Sequence, residues 1–236
     1  MILYYDLHIH TALSPCADND MTPNNIVNMA LLKGLDVIAV TDHNSAENAR
    51  AVIKAGEKAG LTVIAGMEIE TSEEVHVLSL FPSADAAEEV QRQVYRSLPD
   101  AKNPENIFGS QLLFDESDNI TGKNERLLLT ATSLGITEVF RLVAAAGGIA
   151  IPSHVDRPSY SILSNLGFIP DELPLTAIEL SKNISDKNEF YKMRPELKKY
   201  KAVFNSDAHS LGDISEKINF IDVLHNKPNE IIRFFG

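Results

Sequence analysis

The chain has 236 residues, of which 44% are apolar and 23% are charged, and this is enough for one sizeable core. A single α/β barrel uses about this length, so we expect one domain over residues 1–236. The formal net charge is −12, from 33 acidic and 21 basic side chains. Because such a surface repels a phosphate backbone, we expect no long nucleic acid partner, whereas a small anionic phosphorylated substrate is compatible with a metal-loaded site.

The cellular compartment is indicated by what the sequence lacks. Cys16 is the single cysteine, so no internal disulfide can form, which fits a reducing compartment. The first residues have no basic region followed by a long apolar stretch, and no run approaches the roughly 18 apolar residues of a membrane span. We therefore expect a cytoplasmic protein with no membrane partner.

Strand-like and helix-like segments alternate along most of the chain. Apolar runs rich in β-formers predict strands at residues 2–5, 37–40, 62–65, 75–81, 148–152, 177–180, 202–204 and 220–224. Amphipathic spacing and terminal signals predict helices at residues 22–34, 47–59, 84–98, 136–146 and 187–200, and a short one from 228. We expect Pro195 to break the helix at 187–200. Residues 99–135 are polar and irregular, and there we expect a lid or a helical insertion.

This alternation predicts a parallel sheet, either closed or open. Histidines and carboxylates follow the apolar runs at residues 8–10, 43, 68, 154 and 207–209, and in β/α barrels the C-terminal ends of the strands hold the site. A closed barrel places the first strand beside the last and so brings residues 8–10 next to residues 207–209. An open sheet would leave these two groups far apart, so their pattern favours a barrel.

The first of these groups is Asp6-Leu7-His8-Ile9-His10. Side chains two apart on a strand share a face, so we expect Asp6, His8 and His10 to point the same way, and two such imidazoles can hold one metal ion. Six of the seven histidines lie at or within strand ends, and we interpret His225 as a surface residue. Either His43 or His154 alone would suit a hydrogen-bonded structural role, but burying six imidazoles without a common purpose would be costly. Imidazole with carboxylate suits zinc, manganese or iron, and the lack of cysteine clusters argues against a structural zinc site.

Taken together, the motifs resemble those of the PHP (polymerase and histidinol phosphatase) superfamily. The similar segments, in order, are Asp6-x-His8-x-His10, Thr41-Asp42-His43, Gly66-x-Glu68, His76, Ser153-His154 and Asn205-Ser206-Asp207-Ala208-His209. The resemblance implies a distorted (β/α)7 barrel of the TIM-like kind with two or three divalent metal ions at the C-terminal face of the strands. It also implies hydrolysis of phosphoesters.

The resemblance further implies a set of ligands for each metal ion. The first ion takes His8, His10, Glu68 and Asp207; the second shares Glu68 and adds His76 and His154; the third takes His43, His209 and one ligand from the loop after the first strand. That loop departs from the compact acidic turn of many relatives. Counting back from Thr22-Pro23, Asp18 fits the acidic position, while Asp20 and Cys16 remain alternatives.

The expected chemistry is attack by a hydroxide that bridges two metal ions about 3.5–4 Å apart. Glu68 would act in catalysis by bridging the ions. Asp42 would either orient His43 or cap the turn that follows. Arg157 would bind a phosphate oxygen, or else form a surface ion pair with Asp156, and Lys182 is a weaker substrate-binding candidate.

Glu70 and Glu74 are two further carboxylates near the predicted site. We interpret them as solvated or helix-associated charges rather than ligands. The favoured function is a metal-dependent phosphoesterase acting on a small phosphorylated metabolite, a nucleotide or a short oligonucleotide. The alternatives are an amidohydrolase-like enzyme that cleaves C–N or C–O bonds on the same metal centre, and a metal-binding module without catalysis.

Overall fold

The computed structural model of the chain describes residues 1–184 and 186–236. The strands are β1 Ile2–Ile9, β2 Val37–Val40, β3 Thr62–Glu70, β4 His76–Phe81, β5 Leu112–Phe114, β6 Ile120–Lys123, β7 Ile149–Pro152, β8 Ala177–Ser181, β9 Lys201–Asn205 and β10 Phe220–Asp222. The α-helices are α1 Pro23–Leu32, α2 Ala49–Ala59, α3 Ala84–Ser97, α4 Glu105–Phe108, α5 Ile136–Ala145, α6 Ile162–Leu166, α7 Lys187–Met193 and α8 Pro228–Phe235. Two 3₁₀ turns cover Pro195–Lys199 and Leu211–Asp213, the first confirming the break at Pro195.

A curled sheet in the order β10-β1-β2-β3-β4-β7 and the pair β8-β9 form the wall of a distorted TIM-like barrel. The wall continues from β7 to β8 where the Val155 amide donates to the Glu179 carbonyl at 2.9 Å. It continues from β9 to β1 through a parallel bridge between Ile9 and Ala208. The described residues thus give seven barrel strands, β1–β4 and β7–β9, and the predicted (β/α)7 architecture is confirmed.

The expected parallel pairing fails at β4, which runs antiparallel to both of its neighbours, β3 and β7. Only residues 71–75 separate β3 from β4, too short a connection for the crossover that parallel strands need. The reversed direction puts the start of β4 at the rim where the other strands end. His76, the first residue of β4, therefore lies opposite Glu70, two residues beyond Glu68.

Strand β1 contains an irregularity that changes which side chains point inward. Its pairing with β2 shifts between Asp6 and Ile9, so β1 holds one residue more than its partner there. Leu7 belongs to the apolar cluster that lines the barrel, whereas Ile9 packs in the cluster under α1 and α2. The expectation that Asp6 shares a face with His8 is therefore wrong. The buried Asp6 carboxylate instead accepts hydrogen bonds from the amides of Ser206 and Ser215.

The barrel interior is filled below the rim by apolar side chains from its strands. Helix α8 closes the end opposite the rim with three side chains that join the same cluster, Ile231, Ile232 and Phe235.

The segment 99–135 contains the short helix α4 and the β5–β6 hairpin, rather than a mainly helical insertion. Phe114 and Leu112 of this hairpin pack on Ala12 in the loop after β1. A lid function for the segment and the single-domain organisation stay predictions. No described helix combines the length and the apolar character required to cross a bilayer.

Candidate metal centre

Eight of the nine predicted metal ligands come together at one rim of the barrel. They are His8 in β1, His10 and His43 just after β1 and β2, Glu68 in β3, His76 at the start of β4, His154 after β7, and Asp207 and His209 after β9. His8, His10, Glu68 and His154 are each at most 2% exposed. Six backbone segments thus contribute to one largely buried cluster, as the closed barrel predicts.

Glu68 lies at the centre of this cluster. Its Oε1 is 3.1 Å from His76 Nδ1, 3.3 Å from His154 Nε2 and 3.4 Å from His8 Nε2. Its Oε2 is 3.2 Å from His43 Nδ1 and 3.6 Å from His10 Nε2. The two carboxylate oxygens therefore face different sets of imidazoles, which is the arrangement of a carboxylate that bridges two cations.

The donor geometry fits metal ions better than it fits hydrogen bonds. Glu68 Oε1 is buried and makes no hydrogen bond of acceptable geometry with a described residue, although three imidazole nitrogens lie within 3.4 Å. Ligands about 2.1 Å from a tetrahedral ion lie about 3.4 Å apart, which matches these separations. The groups whose donor atoms converge are His8-His10-Glu68-Asp207, His43-Glu68-His76 and His10-His43-His209.

Charges within the cluster prepare these groups as ligands. Burial alone would raise the pKa of Glu68, but the charges on His76 and His8 outweigh it and hold that pKa well below its usual range. Burial together with the neighbouring His209 lowers the pKa of His10 to about 4. At neutral pH, Glu68 is consequently ionised and His10 has a free lone pair.

His8 is held by a carboxylate that the sequence analysis missed. Glu179 in β8 is 2% exposed, and its Oε1 lies 3.0 Å from His8 Nδ1. The same carboxylate accepts hydrogen bonds from the His154 amide at 2.9 Å and from Asn205 Nδ2 at 2.7 Å. A proton on His8 Nδ1 leaves Nε2 free to bind a metal ion. The available signal was an acidic residue inside the apolar run of β8.

Asp42 is linked through Ser14 to both His10 and His43. Its carboxylate accepts hydrogen bonds from the Thr11 amide, the Thr11 hydroxyl and the Ser14 hydroxyl, each at 2.7 Å. Ser14 Oγ in turn lies 2.9 Å from His10 Nδ1 and accepts the His43 amide at 3.1 Å. The donors to the Asp42 carboxylate lie in the loop after β1 and not in the turn that follows Asp42, so the capping role is not supported. A role in orienting His43, through Ser14, stays a prediction.

Two of the clustered residues have a backbone conformation that is rare outside glycine. The φ angles are +30° at His154 and +53° at Asp207. Such conformations are costly for residues with a Cβ atom and persist where the surroundings enforce them. Here the Glu179 bond to the His154 amide is one such constraint, and both side chains are aimed at the cluster.

Arg157 pairs with Asp207, not with Asp156. Its Nη1 lies 2.7 Å from Asp207 Oδ2, and its side chain is 34% exposed. Asp156 instead accepts hydrogen bonds from the amide and hydroxyl of Ser181. Arg157 also lines a cavity of about 140 Å³ over the cluster, together with His154 and Asp207. The suggested surface pair with Asp156 is wrong.

Three further residues named in the sequence analysis lie outside the cluster of eight: Asp18, Lys182 and Glu70. Asp18 is exposed, and its amide, not its carboxylate, contacts the His209 carbonyl, so its role as a ligand stays a prediction, as do the alternatives Asp20 and Cys16. Lys182 is not brought to the cluster, because its Nζ pairs with Asp213 at 2.9 Å. Glu70 is 8% exposed with Oε2 3.9 Å from His76 Nε2, so its interpretation as a solvated charge is wrong.

Known proteins with partial sequence matches to the chain include the following two. The chain is 35% identical to an uncharacterized protein of Methanocaldococcus jannaschii over 88 residues, which are 34% of this chain and 51% of that relative. It is 32% identical to a 5'-3' exoribonuclease of Haemophilus influenzae over 79 residues, which are 32% of this chain and 28% of that relative. The chain thus matches about half of the length of these relatives or less.

Solved structures share the fold at low sequence identity. The lesion-specific endonuclease Q of Pyrococcus furiosus superposes with a TM-score of 0.72 at 20% identity, over 100% of this chain and 56% of that one. A protein of Bifidobacterium adolescentis assigned as a metal-dependent phosphoesterase gives a TM-score of 0.61 at 19% identity, over 98% and 96% of the two chains.

One of these comparisons overturns the expectation that long nucleic acid is excluded. Endonuclease Q in complex with a 27-mer duplex shares the fold with a TM-score of 0.70 at 21% identity, over 100% of this chain and 57% of that one. The expectation was wrong because it rested on net charge, which averages over the whole surface. Bound cations set the local field at a site whatever the total charge.

A sequence model of the PHP domain matches residues 6–215, which is most of the chain. The match includes all eight clustered residues at the barrel rim, from His8 to His209. The resemblance seen in the sequence motifs is therefore confirmed, and the chain belongs to the PHP domain family.

Proposed function

We propose that this protein is a metal-dependent hydrolase of phosphoester bonds. The observation that carries the proposal is the position of Glu68, whose two oxygens face separate sets of imidazoles at 3.1–3.6 Å. A bridging carboxylate of this kind fixes the separation of two cations, which is the requirement for phosphoryl-group hydrolysis by paired metals. The names of an exoribonuclease and a phosphoesterase among the similar proteins agree with this class of substrate.

The proposed cofactors are two or three divalent ions, with zinc, manganese and iron as candidates for this donor set. One ion would be held by His8, His10, Glu68 and Asp207, a group whose donor atoms converge. A second would share Glu68 and use His76 with His154. A third would use His43 and His209 with the proposed Asp18. His10 also converges on these two histidines, but its Nε2 can bind only one ion, which here is the first.

When bound, such ions would supply a water molecule that ionises near neutral pH and a positive field for the phosphoryl oxygens. The protein side chains then have distinct tasks. Glu68 sets the spacing of the centre, while Glu179 and Ser14 hold His8 and His10 with their Nε2 atoms facing inward. Asp42 contributes through Ser14 rather than by touching the substrate.

Arg157 favours phosphoesters over the C–N and C–O bonds of the amidohydrolase alternative. Its guanidinium has five N–H donors, and its ion pair with Asp207 is made through Nη1. The remaining donors can bind a phosphoryl oxygen bidentately at the mouth of the cavity. Lys182 is not included among the substrate-binding residues, because it lies with Asp213 away from this cavity.

The test combines metal analysis with a panel of phosphomonoesters, phosphodiesters and amides. For Glu68→Gln we expect loss of at least one bound ion per chain and a fall of kcat/KM by about 10³-fold, equivalent to about 4 kcal/mol. His225→Ala is the matched control, because that histidine is exposed and outside the cluster. Unchanged metal content and turnover in Glu68→Gln would refute the assigned centre. Turnover of amides alone would establish the amidohydrolase alternative, and full metal loading with no turnover would establish a binding module.

A further inference from the structure

Tyr160 lies at the mouth of the metal centre, in the segment that follows β7. With Ser159 and Arg157 it forms one side of the cavity of about 140 Å³ whose floor is Glu68 and His76. None of the sequence motifs includes Tyr160. Because it borders the same cavity as Arg157, a ligand held at the cluster would contact both side chains.

The segment that presents these two side chains is held at several points. The Arg157 amide donates to the His154 carbonyl at 2.9 Å, and Ser161 Oγ donates to the Arg157 carbonyl at 2.8 Å. The Tyr160 carbonyl accepts the His76 amide at 3.0 Å, and Tyr160 itself has a φ of +54°. The backbone that carries the tyrosine is thus held in place before a ligand arrives, which lowers the entropic cost of binding.

The tyrosine ring packs against His76 at a tilt, and the residue is partly exposed. Its centroid lies 4.9 Å from that of His76 with the planes 30° apart. The residue nevertheless remains 48% exposed, in contrast to the buried imidazoles beneath it. Tyr160 therefore packs partly on His76 and is partly exposed beside the cavity, where a planar group of a ligand can contact its ring.

We propose that Tyr160 is a stacking platform for a nucleobase, so that the substrates of this centre are nucleotide phosphoesters. The proposal rests on the proposed phosphoester function and adds the substrate class. Arg157 and Tyr160 are three residues apart on one segment and line one cavity, an arrangement that suits a ligand carrying both a phosphate and a base. A sugar phosphate without a base offers no π face to the ring, whereas every nucleobase does.

The test measures binding as well as turnover. We expect the metal-loaded protein to bind thymidine 5'-monophosphate about tenfold more tightly than 2-deoxyribose 5-phosphate in calorimetric titrations. Tyr160→Phe should keep this ratio, because it retains the ring, and Tyr160→Ala should reduce it to about one. Phe168→Ala is the control, since Phe168 is a 63% exposed aromatic residue that does not border the cavity. Metal content measured for each variant shows whether His76 has been disturbed.

The outcomes separate this proposal from the proposed function. A wild-type ratio of one, no binding of either ligand, a ratio unchanged in Tyr160→Ala, or an equal weakening of both ligands would each overturn base stacking. Failure of the phosphoester panel alongside a retained and Tyr160-dependent ratio would overturn hydrolysis but support nucleotide binding. Hydrolysis of phosphoesters together with equal binding of the two ligands would support hydrolysis but overturn base stacking.

Discussion

Glu179 Oε1 lies 3.0 Å from His8 Nδ1, which connects strand β8, a strand without a metal donor of its own, to the first histidine of the cluster. The carboxylate has two further partners, the His154 amide and Asn205 Nδ2. A buried anion with these contacts fixes the ring of His8 and increases its basicity as a ligand. Glu179 thus positions a candidate metal ligand, although it lies outside the groups whose donor atoms converge.

The first prediction concerns this contact. In Glu179→Gln one carboxylate oxygen becomes an NH2 group, so the side chain cannot accept from all three donors, His8 Nδ1, Asn205 Nδ2 and the His154 amide. We therefore expect metal affinity to fall by about 10- to 100-fold. Competition with a chromogenic chelator measures it. Glu172→Gln, at an exposed position, is the control. Equal affinities in the two variants would mean that Glu179 is a structural residue only.

The second prediction concerns Ser14, the hydroxyl between Asp42 and His10. Ser14→Ala leaves the buried Asp42 carboxylate one donor short, so we expect a loss of about 1–3 kcal/mol in the free energy of unfolding. Metal affinity should fall by about tenfold, because His10 loses the partner of its Nδ1. Urea unfolding and chelator competition measure the two effects. Ser117→Ala, at an exposed site, should change neither quantity.

The third prediction concerns Arg157. If its guanidinium binds a phosphoryl oxygen in the transition state, Arg157→Ala should lower kcat/KM by about 10²–10³-fold. Metal content should stay the same, because Asp207 retains His10 Nε2 at 3.1 Å. Arg50→Ala, which removes an exposed pair with Asp85 and Glu88, is the matched control. A normal rate in Arg157→Ala would limit this residue to its ion pair with Asp207.

The fourth prediction concerns protons released on metal binding. Burial alone would lower the pKa of His8, but the charges of Glu179 and Glu68 outweigh it and raise this pKa well above its usual value. In the metal-free protein at neutral pH, His8 is thus an imidazolium with protons on both ring nitrogens. A metal ion that binds Nε2 must displace the proton there. Apparent metal affinity should fall about tenfold per unit decrease in pH and level off above that pKa.

Calorimetric titration with zinc in two buffers of different ionisation enthalpy counts these protons. We expect about one proton released per first ion bound at pH 7, and a smaller number in Glu179→Gln, where the carboxylate that raises the pKa is gone. A release of zero at pH 7 would show that His8 is already neutral. His225→Ala should release the same number as the wild type.

The ligand positions were predictable because each follows a local signal. An apolar run ends, and a histidine or carboxylate stands at or just after its end, as at His43 and His154. The direction of β4 was also encoded locally, since a connection of residues 71–75 cannot hold a crossover. The length of this connection argues against a wholly parallel barrel.

The supporting residues were not predictable, because their partners are distant in the chain. Glu179 and His8 are 171 residues apart, and their contact exists only after the barrel closes. The bulge in β1 likewise depends on pairing with β2, and it turns Asp6 away from the face of His8. A prediction that assumes strict two-residue alternation does not detect an extra residue in one strand.

The antiparallel β3–β4 ladder has a consequence for how such a protein can diversify. Glu68 and His76 are held by hydrogen-bonded neighbours, with Glu70 directly opposite His76, so the inter-strand spacing sets their separation. The segment 157–160 and the hairpin at 112–123 are attached outside this ladder. These loops could therefore be exchanged or lengthened, which would alter the range of substrates, while the spacing of the candidate metal ligands in the ladder stays the same.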